Sequence, residues 1–130
     1  MENIEKINLS VVLPIESTKH KDFVELFTKS IQSIRFQEVQ PEELIIVHSD
    51  EESLVGFIND FDFSGLTVSK IRNEGNTDFQ SQVNLGVRSA KSDWISIIEF
   101  DDEFAKIWFK NVKKYMESYK DFEGFLPLVV

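Results

Sequence analysis

The sequence predicts an α/β domain, a mainly parallel sheet with helices on both faces. Three observations predict it. Short apolar runs alternate with segments of helical periodicity, the runs lack the in-and-out alternation of half-exposed strands, and polar turn residues fall between them.

Ile7 to Leu13 is a β-branched and apolar run closed by Pro14, and reads as the first strand. From about Lys21 to Phe36, the residues Phe23, Phe27, Ile31 and Ile34, joined by Val24 and Leu26, recur at the spacing of one helical face. Leu44 to Val47, preceded by Pro41, is a second fully apolar strand, and the polar cluster from His48 to Ser53 ends it and caps a short second helix. Leu66 to Ile71 has strand composition after Gly65, and Arg72 to Asp78, with Gly75 inside, reads as a loop. Asp78 is then the candidate N-cap of a third helix whose apolar face runs through Phe79, Val83, Val87 and Ala90. Trp94 to Ile98 reads as the fourth strand. Phe104, Trp108, Val112, Met116 and Tyr119 trace a fourth helix, and Phe125 to Val130, interrupted by Pro127, looks like a further strand.

With 130 residues, 42% of them hydrophobic, the chain can build one packed core, so a single domain over residues 1–130 is expected. Twelve phenylalanines against 5 glycines and 3 prolines exclude a low-complexity linker. A net charge of −9 without any basic stripe argues against nucleic acid as a partner. The same surplus means that a phosphate-bearing ligand would need a cation or a helix N-terminus to offset repulsion. There is no cysteine, hence no disulfide and no thiolate metal site. No apolar stretch approaches the roughly 20 residues of a membrane span, and the acidic start lacks the basic residues of a signal peptide. A soluble, cytoplasmic protein is the expectation.

Ligands of such sheets sit beyond the carboxyl ends of the strands, here in the loops after Leu13, Val47, Ile71 and Ile98. The last of these, Glu99-Phe100-Asp101-Asp102-Glu103, puts four carboxylates within five residues. In an extended or turning segment Glu99 and Asp101 would point to one side and Asp102 to the other, so two or three oxygens could converge on Mg²⁺ or Mn²⁺. On spacing alone the plainer reading is the solvated start of the fourth helix, where the helix dipole favours acids. His48 reads as a loop residue, because His48, Ser49 and Asp50 are consecutive and cannot readily fold back into a catalytic triad. Trp94 and Trp108 read as core.

Several segments, in order, carry a resemblance. Ser30-Ile31-Gln32-Ser33-Ile34-Arg35-Phe36-Gln37 has the Ser-Ile-x-Ser-Ile-x-x-Gln pattern of a first helix. Glu43 to Val47 stands where a second strand leads into an acidic turn, Asn73-Glu74-Gly75 and Asn84-Leu85-Gly86 are paired Asn-x-Gly elements, and Ala90 to Ile95 approaches strand four. Together with Glu99-Phe100-Asp101 in place of an Asp-x-Asp motif, they resemble the N-terminal half of family 2 glycosyltransferases.

The resemblance implies a Rossmann-like GT-A sandwich, a nucleotide-diphosphate sugar donor, bound Mn²⁺ or Mg²⁺, and transfer to a hydroxyl of a glycan or other acceptor. It reverses the plain reading of the acidic loop. Asp101 and Asp102, with Glu99 as a weaker candidate, would hold the metal, and Asp101 would also face the donor. Pro14, Ile15 and Ser17 would lie beside the base, with Ser49 or Asp50 at the position of the acid that reads it. The sequence departs from the family here: Ile15-Glu16-Ser17 replaces Thr-Tyr-Asn, and His48-Ser49-Asp50-Glu51 replaces Asp-Asp-Gly-Ser. No catalytic base is identifiable, since the acceptor-binding half of the family is absent from these residues. The apolar tail is expected to meet a further domain or a second copy of the chain. Two other readings are a noncatalytic protein- or carbohydrate-binding relative and a receiver-type signalling domain. The latter lacks its acidic pair after strand one, its phosphorylatable aspartate and its late lysine.

Overall fold

The computed structural model describes residues 4–118. Strands β1 (Glu5–Ile15), β2 (Val39–Ser49), β3 (Val68–Asn73) and β4 (Trp94–Ile97) alternate with helices α1 (Phe23–Arg35), α2 (Glu52–Asp60), α3 (Phe79–Ser89) and α4 (Trp108–Ser118). The strands form one sheet in the order β3-β2-β1-β4, and every pairing is parallel. This is the predicted α/β class. The order is that of the Rossmann fold's first four strands, and it differs from the 2-1-3-4-5 order of receiver-like folds. Tyr119 and the expected strand from Phe125 to Val130 lie outside the described residues.

The unalternating apolar runs have the cause that the sequence suggested: the central strands are buried on both faces. Val11, Leu13 and Ile15 of β1, with Leu44 and Ile46 of β2, belong to a large core completed by α1, α2 and α4. Val12, Ile45 and Val47 point the other way, into a smaller cluster under Leu85 and Ala90 at α3. The abundant phenylalanines fill the large core. Phe27 is fully buried, with the rings of Phe23, Phe57, Phe61 and Phe63 centred 5.7, 5.3, 4.9 and 6.2 Å away.

Several boundaries differ from expectation. β2 begins at Val39 and runs through Pro41, which pairs with Ile7 beside a register shift that ends at Ser10. Proline lacks the N–H that a regular ladder uses, so the pairing is irregular at that point. β3 runs past Ile71 to Asn73, and Leu66 precedes it. Phe104 lies ahead of α4 and reaches the core by stacking on Trp108, 6.0 Å between centroids. His48 is no loop residue: it lies inside β2, 4% exposed, with Nδ1 2.9 Å from the Ser49 carbonyl oxygen.

The largest correction concerns α3. Asp78 caps it as expected, Oδ1 accepting from Ser81 N at 2.7 Å, and that amide holds the Asp78 carboxyl below the usual range. Its buried residues, however, are Gln82 and Gly86, while Phe79 and Val87 are 51% and 41% exposed. The helix meets the sheet through a residue without a side chain. A Cβ at Gly86 would lie 2.5 Å from Val12 Cγ1 and 3.2 Å from Val47 Cγ2. Val12 is β-branched and buried and has little room to yield.

Gly86→Ala is therefore expected to destabilise the fold by about 1–3 kcal/mol through overpacking, against about 1 kcal/mol gained in helix propensity. Denaturant unfolding checks this. Adding Val12→Ala should make the double variant less unstable than the two single losses combined, and strict additivity would refute the contact.

Candidate functional site

The strand order reverses between β1 and β4, which places the crevice of the sheet at their carboxyl ends. The local reason is Pro14. Ile98 N donates to Val12 O at 3.0 Å, and Pro14, the next residue of β1 to face β4, has no N–H to continue the ladder. The chain leaves the sheet there and turns into the acidic loop. Along the carboxyl edge, Ile15, His48 and Arg72 stand in register, and Ser49 pairs with Asn73.

The acidic loop is a tight turn: Asp102 N donates to Glu99 O at 3.0 Å. Of the extended and turning forms that the sequence allowed, the loop takes the turning one. Glu99, Asp101 and Asp102 can each offer an oxygen within 4.8 Å of the others, and all three are exposed. Glu103 is not among them. Oxygen donors at such separations, open to water, suit a hard divalent cation. Between them, Phe100 turns inward against Phe23, at 5.2 Å, with His20 edge-on at 5.9 Å. On the far side the loop is tied by Ser33 and Gln37, two of the polar residues of the first-helix pattern. Ser33 Oγ accepts from Phe104 N at 3.0 Å, while Gln37 donates to Ala105 O at 2.6 Å and accepts from Phe109 N at 3.3 Å.

On the other side of the crevice the predicted residues are distributed unevenly. Pro14 is buried, and Ile15 sends its side chain into the large core, leaving only its backbone towards the edge. Its carbonyl is engaged by Gln82 Nε2 at 3.0 Å. Gln82, 1% exposed, lies 3.4 Å from Asn73 Nδ2, and Asn73 also holds Asn76 O and Gly75 N. Ser17 is half-buried and accepts from Lys19 N, and Ser49 is buried with its hydroxyl towards Glu51 N at 3.4 Å. Asp50 is exposed and ion-paired with Arg72, which reaches one of its oxygens with two nitrogens.

Sequence reading overlooked Arg72, Gln82 and Glu51. Register would have found Arg72, which stands beside His48, but the loop had been drawn to begin there. Gln82 carried a signal in its spacing, four residues after Asp78 and four before Gly86, but polar residues are not sought on an inward face. Glu51 Oε1 accepts from the hydroxyls of Ser53 and Thr18, each at 2.6 Å, and from Thr18 N at 3.3 Å. The Ser53 hydroxyl first, then that of Thr18, lowers its carboxyl below the ordinary glutamate range.

These features define a Rossmann-like domain of the GT-A kind, with a carboxylate turn facing a polar strand edge across the crevice. The pattern of Glycosyl transferase family 2 matches residues 19–125, and the chain belongs to that family. Solved structures of S. aureus TarS share the fold. TarS 1–349 in complex with UDP superposes with a TM-score of 0.70 at 15% identity, over 88% of this chain and 33% of that one. The same protein with UDP-GlcNAc gives 0.68 at 15%, over 88% and 32%, and a further structure of TarS 1–349 gives 0.69 at 14%, over 93% and 39%. The chain thus spans well under half the length of these relatives. No curated protein matches it. Among the described residues, no helix is long and apolar enough to cross a membrane.

Two outcomes are expected. Gln82→Leu should cost about 1–3 kcal/mol in denaturant unfolding, because it removes the buried side-chain donor to the Ile15 carbonyl and one of the two acceptors of the Asn73 amide. In an NMR pH titration, Glu51 should titrate below the ordinary glutamate range and return towards it in Ser53→Ala. Because the folded value is the lower one, the stability it contributes is complete above the unfolded-state value and fades as pH falls through the folded value.

Proposed function

We propose that this chain is the donor-binding part of a glycosyltransferase that uses a nucleotide-diphosphate sugar and a divalent metal. The observation that carries the reading is the convergence of Glu99, Asp101 and Asp102 at the mouth of the topological crevice, in a chain of this family. A cation held there would supply Lewis-acid stabilisation of the departing diphosphate. The chain's own residues do the rest. Asp101 and Asp102 hold the metal side, with Glu99 beside them, and Mn²⁺ or Mg²⁺ fits their hard oxygen donors. Phe100 and the Ser33 and Gln37 ties keep the turn in place, which matters because three carboxylates repel one another until a cation arrives.

The base would lie on the opposite side, along the Pro14 and Ile15 backbone, Ser17, Ser49 and the Asp50–Arg72 pair. With Ser49 buried, Asp50 is the carboxylate within reach of a base edge, and Arg72 keeps it oriented. Relatives of this fold have been solved with UDP and UDP-GlcNAc, which supports a uridine nucleotide as the first ligand to try. The acceptor would be a hydroxyl of a glycan or another compound, bound by residues outside this chain's crevice.

Calorimetric titration with UDP and then GDP, with and without Mn²⁺, tests the proposal. UDP should bind in a metal-dependent way, and Asp101→Ala/Asp102→Ala should weaken it by at least about tenfold. If neither nucleotide binds in either condition, the donor reading fails and a noncatalytic binding module takes its place.

A further inference from the structure

We propose that Glu51 is a positioning residue for the donor site: its carboxylate latches the β1–α1 loop to the start of α2 and so fixes the wall on the base side of the crevice. The role rests on the donor-binding reading above. Glu51 directly precedes α2, and one oxygen of its carboxylate gathers the Thr18 hydroxyl and amide and the Ser53 hydroxyl, with the two hydroxyls 3.0 Å apart. The two loops leave neighbouring strands that stay in register up to Ile15 and His48, so Thr18 and Glu51 sit just beyond the same edge of the sheet.

Geometry makes the latch matter. Between Glu16 and Asp22 the loop contains no proline, and apart from the Thr18–Ser53 hydroxyl pair its other hydrogen bonds among the described residues are local: Lys19 N to Ser17 Oγ, Asp22 N to His20 Nδ1 and Phe23 N to His20 O. Its anchors elsewhere are Gln82 on Ile15 O at one end and the packing of His20 on Phe100 near the other. Without the Glu51 tie the middle of the loop is held to α2 by the single Thr18–Ser53 hydroxyl contact alone, and the wall opens more readily. A nucleotide that needs the closed wall would then bind more weakly in proportion to the fraction of time the wall is closed. Electrostatics explains why a carboxylate is tolerable in that wall: three donors converge on its oxygen and stabilise its charge. Glu51 stands where the family pattern has the serine of Asp-Asp-Gly-Ser. The longer side chain is what reaches Thr18.

The experiment titrates UDP in saturating Mn²⁺ into the wild-type chain, Glu51→Ala and Glu51→Gln, and reads Mn²⁺ binding alone by water-proton relaxation. Amide hydrogen exchange at Thr18 is followed in parallel. Glu51→Ala should weaken UDP by about fivefold or more while leaving Mn²⁺ affinity within about twofold, and Thr18 should exchange faster. Glu51→Gln, whose amide oxygen still accepts from both hydroxyls, should recover most of the UDP affinity. The proposal is overturned if Glu51→Ala binds UDP like wild type, if Mn²⁺ affinity falls in parallel, or if Glu51→Gln is as weak as Glu51→Ala. Absence of UDP binding by the wild type is a different failure. It removes the donor reading and this role with it, and faster Thr18 exchange would then mark a tie that serves the fold alone.

Discussion

The parallel ladder between β1 and β2 is the constraint on which the rest of the structure depends. Its register runs from Glu5 opposite Val39 to Ile15 opposite His48, and both faces of its upper half are buried. A one-residue slip would exchange the side chains of its two buried faces between differently shaped cores, so its register is strongly fixed. The loops at its carboxyl end inherit that precision. Thr18 meets Glu51, and Arg72 meets Asp50, because the strands beneath them end level with one another.

On the α3 side, apolar burial is modest and buried polar groups fasten the helix at both ends. Near the amino ends of the strands, Glu43 is 4% exposed, and its Oε2 accepts from Ser10 Oγ at 2.8 Å and Lys91 N at 2.7 Å. Near the carboxyl ends, Gln82 satisfies the Ile15 carbonyl. Gly86, between these two anchors, lets the helix backbone lie directly on Val12 and Val47. Each anchor supplies a hydrogen bond to a group that the close packing buries, so the tight contact and the buried polar residues support each other.

Much of this was legible beforehand. The strands announced themselves because central parallel strands must be apolar throughout, and Asp78 did so because a cap is a local device. The carboxylate turn and the convergence of its oxygens were legible as a candidate from composition and spacing, and Glu99, Asp101 and Asp102 do come within reach of one another. The inward face of α3 was misread for a physical reason. Periodicity counts apolar residues, whereas this interface is built from a glycine and a glutamine, leaving Phe79 and Val87 on the outside. Pairs such as Asp50 with Arg72 and Thr18 with Glu51 join residues 22 and 33 positions apart, and only the register of the sheet brings them together.

The strand order also has a consequence for how the chain comes into being. β1 is made before the other three strands and lies in the interior of the sheet, yet the neighbour on its far edge, β4, ends only at Ile97. A chain emerging from the ribosome can pair β1 with β2 early, but the edge facing β4 stays bare until most of the domain has been synthesised. At roughly 5–20 residues per second, that leaves an apolar strand edge open for several seconds. The nascent domain therefore passes through a stage in which its most buried strand is its most adhesive surface, the stage at which a chaperone would be needed.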